Sequence, residues 1–141
     1  MGFFKKKNKI EEVEVYSNDT FVYNKKTKEY SGIINEIEFT SDVLNAEMVV
    51  YAEMLAKEYY NNIPKIVDFM LSDERFDFEN GFYPNLTKEK LTNALKLPMI
   101  RLIDKNNCDV SYLNHTLDDE HCIYFEVDCI FEKLYYLSID G

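Results

Sequence analysis

The chain of 141 residues contains no Trp, only four Gly, three Pro and two His. Few Gly and Pro leave few positions that encode a sharp bend or a break, so regular elements should fill most of the chain. The sequence has no Gly-rich phosphate loop, no G-x-S-x-G elbow and no H-E-x-x-H motif. The common nucleotide-binding and hydrolase classes therefore have no signature here, and we do not expect an enzyme.

Cysteine is also scarce. Cys108, Cys122 and Cys129 are odd in number and form no C-x-x-C pair, which favours reduced thiols packed in or beside strands. No apolar run approaches the ~20 residues of a membrane span, and residues 1–9 are followed by charged residues rather than an apolar signal region. The sequence therefore predicts a cytoplasmic protein without a membrane span.

Basic residues are few, with 16 Lys and Arg against 26 Asp and Glu and a net charge of −10. Four lysines between Lys5 and Lys9 give residues 1–9 a charge of +4, so residues 10–141 carry −14. An acidic surface repels phosphate backbones, which disfavours nucleic acid and favours a cationic protein as partner. We interpret residues 1–9 as a flexible basic arm and residues 10–141 as a single domain with one core.

Two regions of the chain carry a strand pattern. Apolar and polar residues alternate through residues 10–39, beginning at Val13 and Val15, which predicts a β-meander. The alternation returns in residues 100–139, with a turn at Asp104–Asn107, which predicts hairpins.

The region between the strand patterns indicates helices. Apolar residues from Leu55 to Met70 recur every three or four positions, which predicts a helix at about 52–71 that Pro64 kinks or restarts, with Asn62 as a cap. Thr87 caps a second helix at about 88–96. Met48–Tyr51 suits either a strand or a helix. The fold class predicted is α+β, with an antiparallel β-sheet (N-terminal meander plus C-terminal hairpins) and two helices packed on one face.

The densest group of reactive side chains is His115-Thr-Leu-Asp-Asp-Glu-His121-Cys122. Imidazole, carboxylate and thiolate suit zinc or iron, but the spacing matches no strong metal signature. If Cys122 begins a strand, its side chain also points away from that of His121. We therefore expect an exposed polar loop with no cofactor. A metal-binding domain or metal-dependent enzyme that uses His115 and His121 is the alternative, and a structural adaptor is a third.

The last 36 residues, Asn106 to Gly141, hold eight acidic side chains against one Lys, yet they have the strand pattern. Four tyrosines lie among these acids, namely Tyr112, Tyr124, Tyr135 and Tyr136. Tyrosines surrounded by carboxylates form a receptor for Lys and Arg side chains, although tyrosine is also a common surface residue of strands. The partner-binding residues predicted on this basis are Asp118, Asp119, Glu120, Tyr124, Glu126 and Asp128. The last three share one strand face if the period of two holds.

The order of the predicted elements and three short segments carry a family resemblance. The segments are Phe82-Tyr-Pro-Asn-Leu-Thr-Lys-Glu-Lys-Leu91, Leu117-Asp-Asp-Glu-His121 and Leu137-Ser-Ile-Asp-Gly141. Together with the meander and the helix at 52–71, they resemble small bacterial domains, some of which look like immunity proteins of polymorphic toxin systems. The resemblance covers about residues 33–141. It implies an intracellular protein that neutralises a cognate toxin by binding it, and it carries over no catalytic residue.

Overall fold

A computed structural model describes residues 15–141 of the chain. The predicted basic arm at residues 1–9 and the strand residue Val13 lie outside this range. Strands occupy Val22–Asn24 (β1), Glu29–Ile34 (β2), Ile37–Ser41 (β3), Met99–Leu102 (β4), Asn107–Tyr112 (β5), Cys122–Asp128 (β6) and Lys133–Asp140 (β7). Helices occupy Ala46–Glu58 (α1), Ile63–Leu71 (α2) and Lys88–Leu95 (α3), with 3-10 turns at Tyr60–Asn62 and Glu74–Phe76.

The seven strands form one sheet in the order of the sequence, from β1 at one edge to β7 at the other. Neighbouring strands are antiparallel except for β3 and β4, which run parallel. A parallel pair needs a long connection to bring the chain back to the same end of the sheet, and all three helices lie in that connection. The predicted α+β class, with its meander and hairpins, is confirmed, and the parallel pair joins its two antiparallel halves.

The first helical region divides into two helices, where the periodicity predicts one. Met48–Tyr51 belongs to α1, because Asn45 caps the helix by accepting a hydrogen bond from the N–H of Met48 at 2.9 Å. The chain restarts at α2, where Pro64 lies in the first turn and its missing N–H costs no helical bond. Asn62 occupies the predicted N-cap position of α2, but its side chain does not bond to the first turn, because its Nδ2 donates instead to the Glu58 carbonyl at 2.8 Å.

The helix α3 forms as predicted. Thr87 accepts a hydrogen bond from the N–H of Lys90, and Leu91, Ala94 and Leu95 are buried. The helix ends at Leu95, where Lys96 takes a positive φ of 60°.

The helices cover one face of the sheet. Ile123, Phe125 and Val127 of β6 are fully buried, and the ring of Phe125 lies 5.5 Å from that of Phe69 on α2. The residues between them in β6 point to the opposite face and are only partly buried. No helix of residues 15–141 packs on that second face, which we call the open face.

A β-bulge interrupts the pairing of β6 with β7. Tyr124 pairs with Ser138 and Glu126 pairs with Tyr135, so β7 has one extra residue between these pairs. Tyr136 takes a φ of 55° in the bulge, and its side chain is 73% exposed. Strand alternation therefore shifts by one residue in the middle of β7.

Candidate functional site

The open face carries more acidic than basic side chains. Its residues follow from the strand register, because directly paired residues of a sheet lie on the same face. The acidic residues are Glu29, Glu38, Asp109, Glu126, Asp128 and Asp140, the basic residues are Arg101 and Lys133, and the tyrosines are Tyr124 and Tyr135.

Glu126 lies in the middle of this charged region. It pairs directly with Asp109 of β5 on one side and with Tyr135 of β7 on the other. Two like charges opposite each other destabilise a sheet, and no ion pair within residues 15–141 reaches Glu126 or Asp109. Arg101 lies beside Asp109, but its guanidinium binds Asp42 at 2.6 Å and Glu29 at 3.4 Å. An added cation would relieve this repulsion.

Asp128 is held in place at the end of β6. Its Oδ1 accepts hydrogen bonds from Nδ2 of Asn107 at 2.6 Å and from the hydroxyl of Tyr135 at 2.7 Å. The bond to Asp128, with some burial, raises the pKa of Tyr135 to about 12. The ammonium of Lys133 lies 5.1 Å from the centre of the Tyr135 ring. Tyr135 already makes a cation–π contact here, which is the contact we expect a partner's cation to make.

Tyr124 lies beside the two opposed carboxylates. Burial, and then the charges of Asp109 and Glu126, raises the pKa of Tyr124 to about 12, so its hydroxyl stays protonated at neutral pH. Burial also raises the pKa of Asp109 above its ordinary value. A partly buried carboxylate beside a tyrosine ring, as Asp109 is beside Tyr124, is suited to binding a guanidinium or ammonium group.

The predicted loop residues lie elsewhere. Asp118 accepts hydrogen bonds from the Tyr83 hydroxyl at 2.7 Å, from the ring of His121 at 2.7 Å and from the backbone N–H groups of Glu120 and His121. Burial opposes ionisation, but these bonds outweigh it and lower the pKa of Asp118. The carboxylate of Asp118 therefore joins parts of its own chain, while Asp119 and Glu120 are exposed.

The structure divides the predicted site into two parts. Tyr124, Glu126 and Asp128 share the open face, as the period of two predicts. The loop at 118–120 precedes the other end of β6, and six strand steps separate Cys122 from Asp128, or roughly 20 Å. The carboxylates at 118–120 therefore lie beyond the end of β6 that is opposite to Asp128.

The side chain of His115 holds the loop that precedes β6 in place. His115 is buried, and its Nδ1 accepts a hydrogen bond from the N–H of Leu117 at 3.2 Å. Its Nε2 therefore carries the proton and donates to the carbonyl of His121 at 2.6 Å, which leaves neither nitrogen for a metal. Across residues 15–141, no three His, Cys, Asp or Glu side chains form a group that could hold a metal ion. Cys122 begins β6 and lies on the open face, where it pairs with Asp140.

The interpretation of Tyr112 as part of a surface stripe is wrong. Tyr112 points toward the helices, is fully buried, and its hydroxyl lies 2.6 Å from that of Tyr59. Conversely, two residues of the open face are missing from the predicted site. Asp109 pairs with the predicted Glu126, and Arg101 pairs with Asp109. Asp109 alternates with the buried Cys108 and Val110, so the period of two placed it outward. Only the register shows that it faces Glu126.

The chain matches no protein-family model, no curated protein and no solved structure. None of the helices in residues 15–141 has the length and apolar character needed to cross a bilayer. The argument for function therefore depends on the open face.

Proposed function

We propose that this chain is an immunity-type binding protein that neutralises a cognate, basic bacterial toxin by covering it with the open face of the sheet. The observation that carries the proposal is the pair of opposed carboxylates, Glu126 and Asp109, with no basic side chain of residues 15–141 bonded to either. The link to toxins comes from the family resemblance. The role is binding in the cytoplasm and not catalysis.

The charges of the open face suit a cationic partner. Six acidic residues against two basic ones give this face a negative potential, which would speed the encounter with a basic protein and fix its orientation. Tyr124 and Tyr135 add rings on which an arginine or lysine can stack. The expected contact residues are Asp109, Tyr124, Glu126, Asp128 and Tyr135.

The rigidity of the open face also supports occlusion of a partner. Its side chains stand on paired strands, and Asp128 is fixed by two hydrogen bonds before any partner arrives. Residues that are already ordered lose little conformational entropy on binding. An inhibitor of this kind needs a complementary surface and no reactive group.

To test this proposal, the protein encoded beside this chain is expressed in bacterial cells, once with the chain and once without it. We expect that protein to stop growth alone and growth to resume when the wild-type chain is present. The double variant E126K/D128K should fail to restore growth. Its affinity for the purified neighbour should fall at least about tenfold, equivalent to about 1.4 kcal/mol, and wild-type binding should weaken as salt is added.

The matched control is D119K/E120K, which makes the same charge change in the exposed loop. It should protect cells as the wild type does, and thermal midpoints should show that both variants are folded. If only D119K/E120K fails to protect the cells, the binding site lies in the loop and not on the open face. A neighbour that is harmless, or that does not bind the chain, would overturn the proposed function.

A further inference from the structure

We propose that β7 pairs with the same strand of a second copy of this chain, antiparallel and centred between Tyr136 and Leu137. β7 is an edge of the sheet, and within residues 15–141 the only strand that pairs with it is β6. It has eight residues, whereas the opposite edge, β1, has three. A long edge strand offers unpaired backbone groups to an added strand.

The bulge makes β7 complementary to itself. In the proposed register, Lys133 lies opposite Asp140 of the second copy, and Leu134 lies opposite Ile139. Residues paired across two strands must share a face. Residues seven apart on a regular strand lie on opposite faces, so without the bulge this register would not form.

The observed pairing with β6 confirms that the faces agree. Lys133 pairs with Asp128 and Asp140 pairs with Cys122, so both point to the open face. Leu134 and Ile139 pair with Val127 and Ile123, which puts both on the helical face. When two copies pair, each half of β7 therefore meets the other half of its partner strand. Opposite charges then face each other on the open face, and apolar residues face each other on the helical face.

A contact from the helical layer fixes the bulge. Arg75 donates from Nη2 to the carbonyl of Leu137 at 2.7 Å, and two hydrogen bonds of 2.9 Å to Asp73 hold its guanidinium. The bulge is thus part of the folded chain before a second copy binds. The exposed ring of Tyr136 lies at the proposed two-fold axis, where an aromatic residue contributes most to an interface.

The charges at both ends of β7 can be reached by a second copy, although the ammonium of Lys133 also lies over the ring of Tyr135 and the carboxylate of Asp140 accepts a hydrogen bond from Ser138. Lys133 and Asp140 are exposed, and neither takes part in an ion pair within residues 15–141. Two-fold symmetry makes two Lys133–Asp140 pairs in each dimer. A contact along one strand is small compared with standard interfaces, so we expect a reversible dimer that depends on concentration.

The experiment is sedimentation equilibrium of the full chain over the micromolar to millimolar range. The wild type should approach twice the monomer mass at high concentration. K133D and D140K should each raise the dissociation constant about tenfold, because like charges then oppose each other twice in each dimer. The charge swap K133D/D140K should restore dimerisation.

K88D is the matched control, since it makes the same charge change on α3, and it should dimerise as the wild type does. Circular dichroism would show that each variant is folded. A wild type that stays monomeric, or a dimer that K133D and D140K leave unchanged, would overturn the β7 contact. The β7 contact would also be overturned if K133D and D140K weaken dimerisation and the swap K133D/D140K does not restore it. None of these results bears on E126K/D128K, so the toxin-binding proposal is tested separately.

Discussion

At the scale of single residues, the buried polar pair of Tyr59 and Tyr112 is the clearest constraint on the core. Both rings are almost fully buried, and their hydroxyl oxygens lie 2.6 Å apart. Burial raises the pKa of Tyr59 to about 12 and that of Tyr112 well above its ordinary value, so both are neutral. Each hydroxyl is the hydrogen-bond partner of the other, and removal of one leaves its partner unpaired in the core.

Y59F and Y112F should each lower the free energy of unfolding by about 1–2 kcal/mol, the cost of a buried hydroxyl without a partner. The double variant Y59F/Y112F should lose less than the sum of the two, because no polar group is then left unpaired. Urea unfolding measures all three values. Y136F, at an exposed tyrosine, is the control and should unfold as the wild type does. Additive losses would show that the hydroxyls are not coupled.

At the scale of elements, Asp118 joins segments that are distant in the sequence. Its bonds tie the loop before β6 to Tyr83, on the connection between α2 and α3. Thr116 adds a backbone bond to Ala94 of α3 at 2.9 Å. The loop is therefore a fixed link between the sheet and the helical layer.

D118N should lower the free energy of unfolding by about 1–3 kcal/mol at pH 7, since it removes a partly exposed, charge-assisted hydrogen-bond acceptor. Folding lowers the pKa of Asp118. Its contribution is therefore complete above the unfolded pKa of about 3.9 and declines as the pH falls below that value. Unfolding curves from pH 7 to pH 2 should show the wild type and D118N converging in acid.

D119N, at the exposed neighbouring carboxylate, serves as the control for D118N. It should follow the wild type at every pH. A gap between wild type and D118N that stays constant down to pH 2 would contradict the role of the ionised Asp118.

At the scale of the whole molecule, the excess of negative charge has a cost for stability. Residues 10–141 carry −14, and most ion pairs found within residues 15–141 involve partly exposed side chains, which contribute little. Repulsion among the remaining carboxylates opposes the compact state. The acidity of the open face, which we propose serves a cationic partner, therefore lowers the stability of the free protein.

Added salt should raise the thermal midpoint, because the screening length falls from about 30 Å at 0.01 M to about 8 Å at 0.15 M. We expect a rise of about 3 °C over this range. The variant E126Q, at a carboxylate that lies opposite Asp109, should melt higher than the wild type at low salt and respond less to added salt. A midpoint that falls as salt is added would contradict net repulsion.

The sequence by itself determined most of the elements. A period of two identified β2 to β7, and the cap at Thr87 identified α3, because these signals depend on nearby residues and on which face of an element is buried. The same period placed Tyr124, Glu126 and Asp128 on one face. Pro64 indicated that the helix would kink or restart, and the chain does restart there as α2. The apolar spacing continues across the 3-10 turn at Tyr60–Asn62, so it did not decide between the two outcomes.

Only the tertiary structure decided which side chains meet. The parallel pairing of β3 with β4, the opposition of Asp109 and Glu126 and the hydrogen bond between Asp118 and Tyr83 are contacts between segments distant in the chain. The bulge at Tyr136 is also visible only in the pairing of β7 with β6. Its one extra residue changes the face of the sheet on which the following residues of β7 lie. A pattern of residue types fixes which way a side chain points along its own strand, whereas its neighbours depend on the strand register.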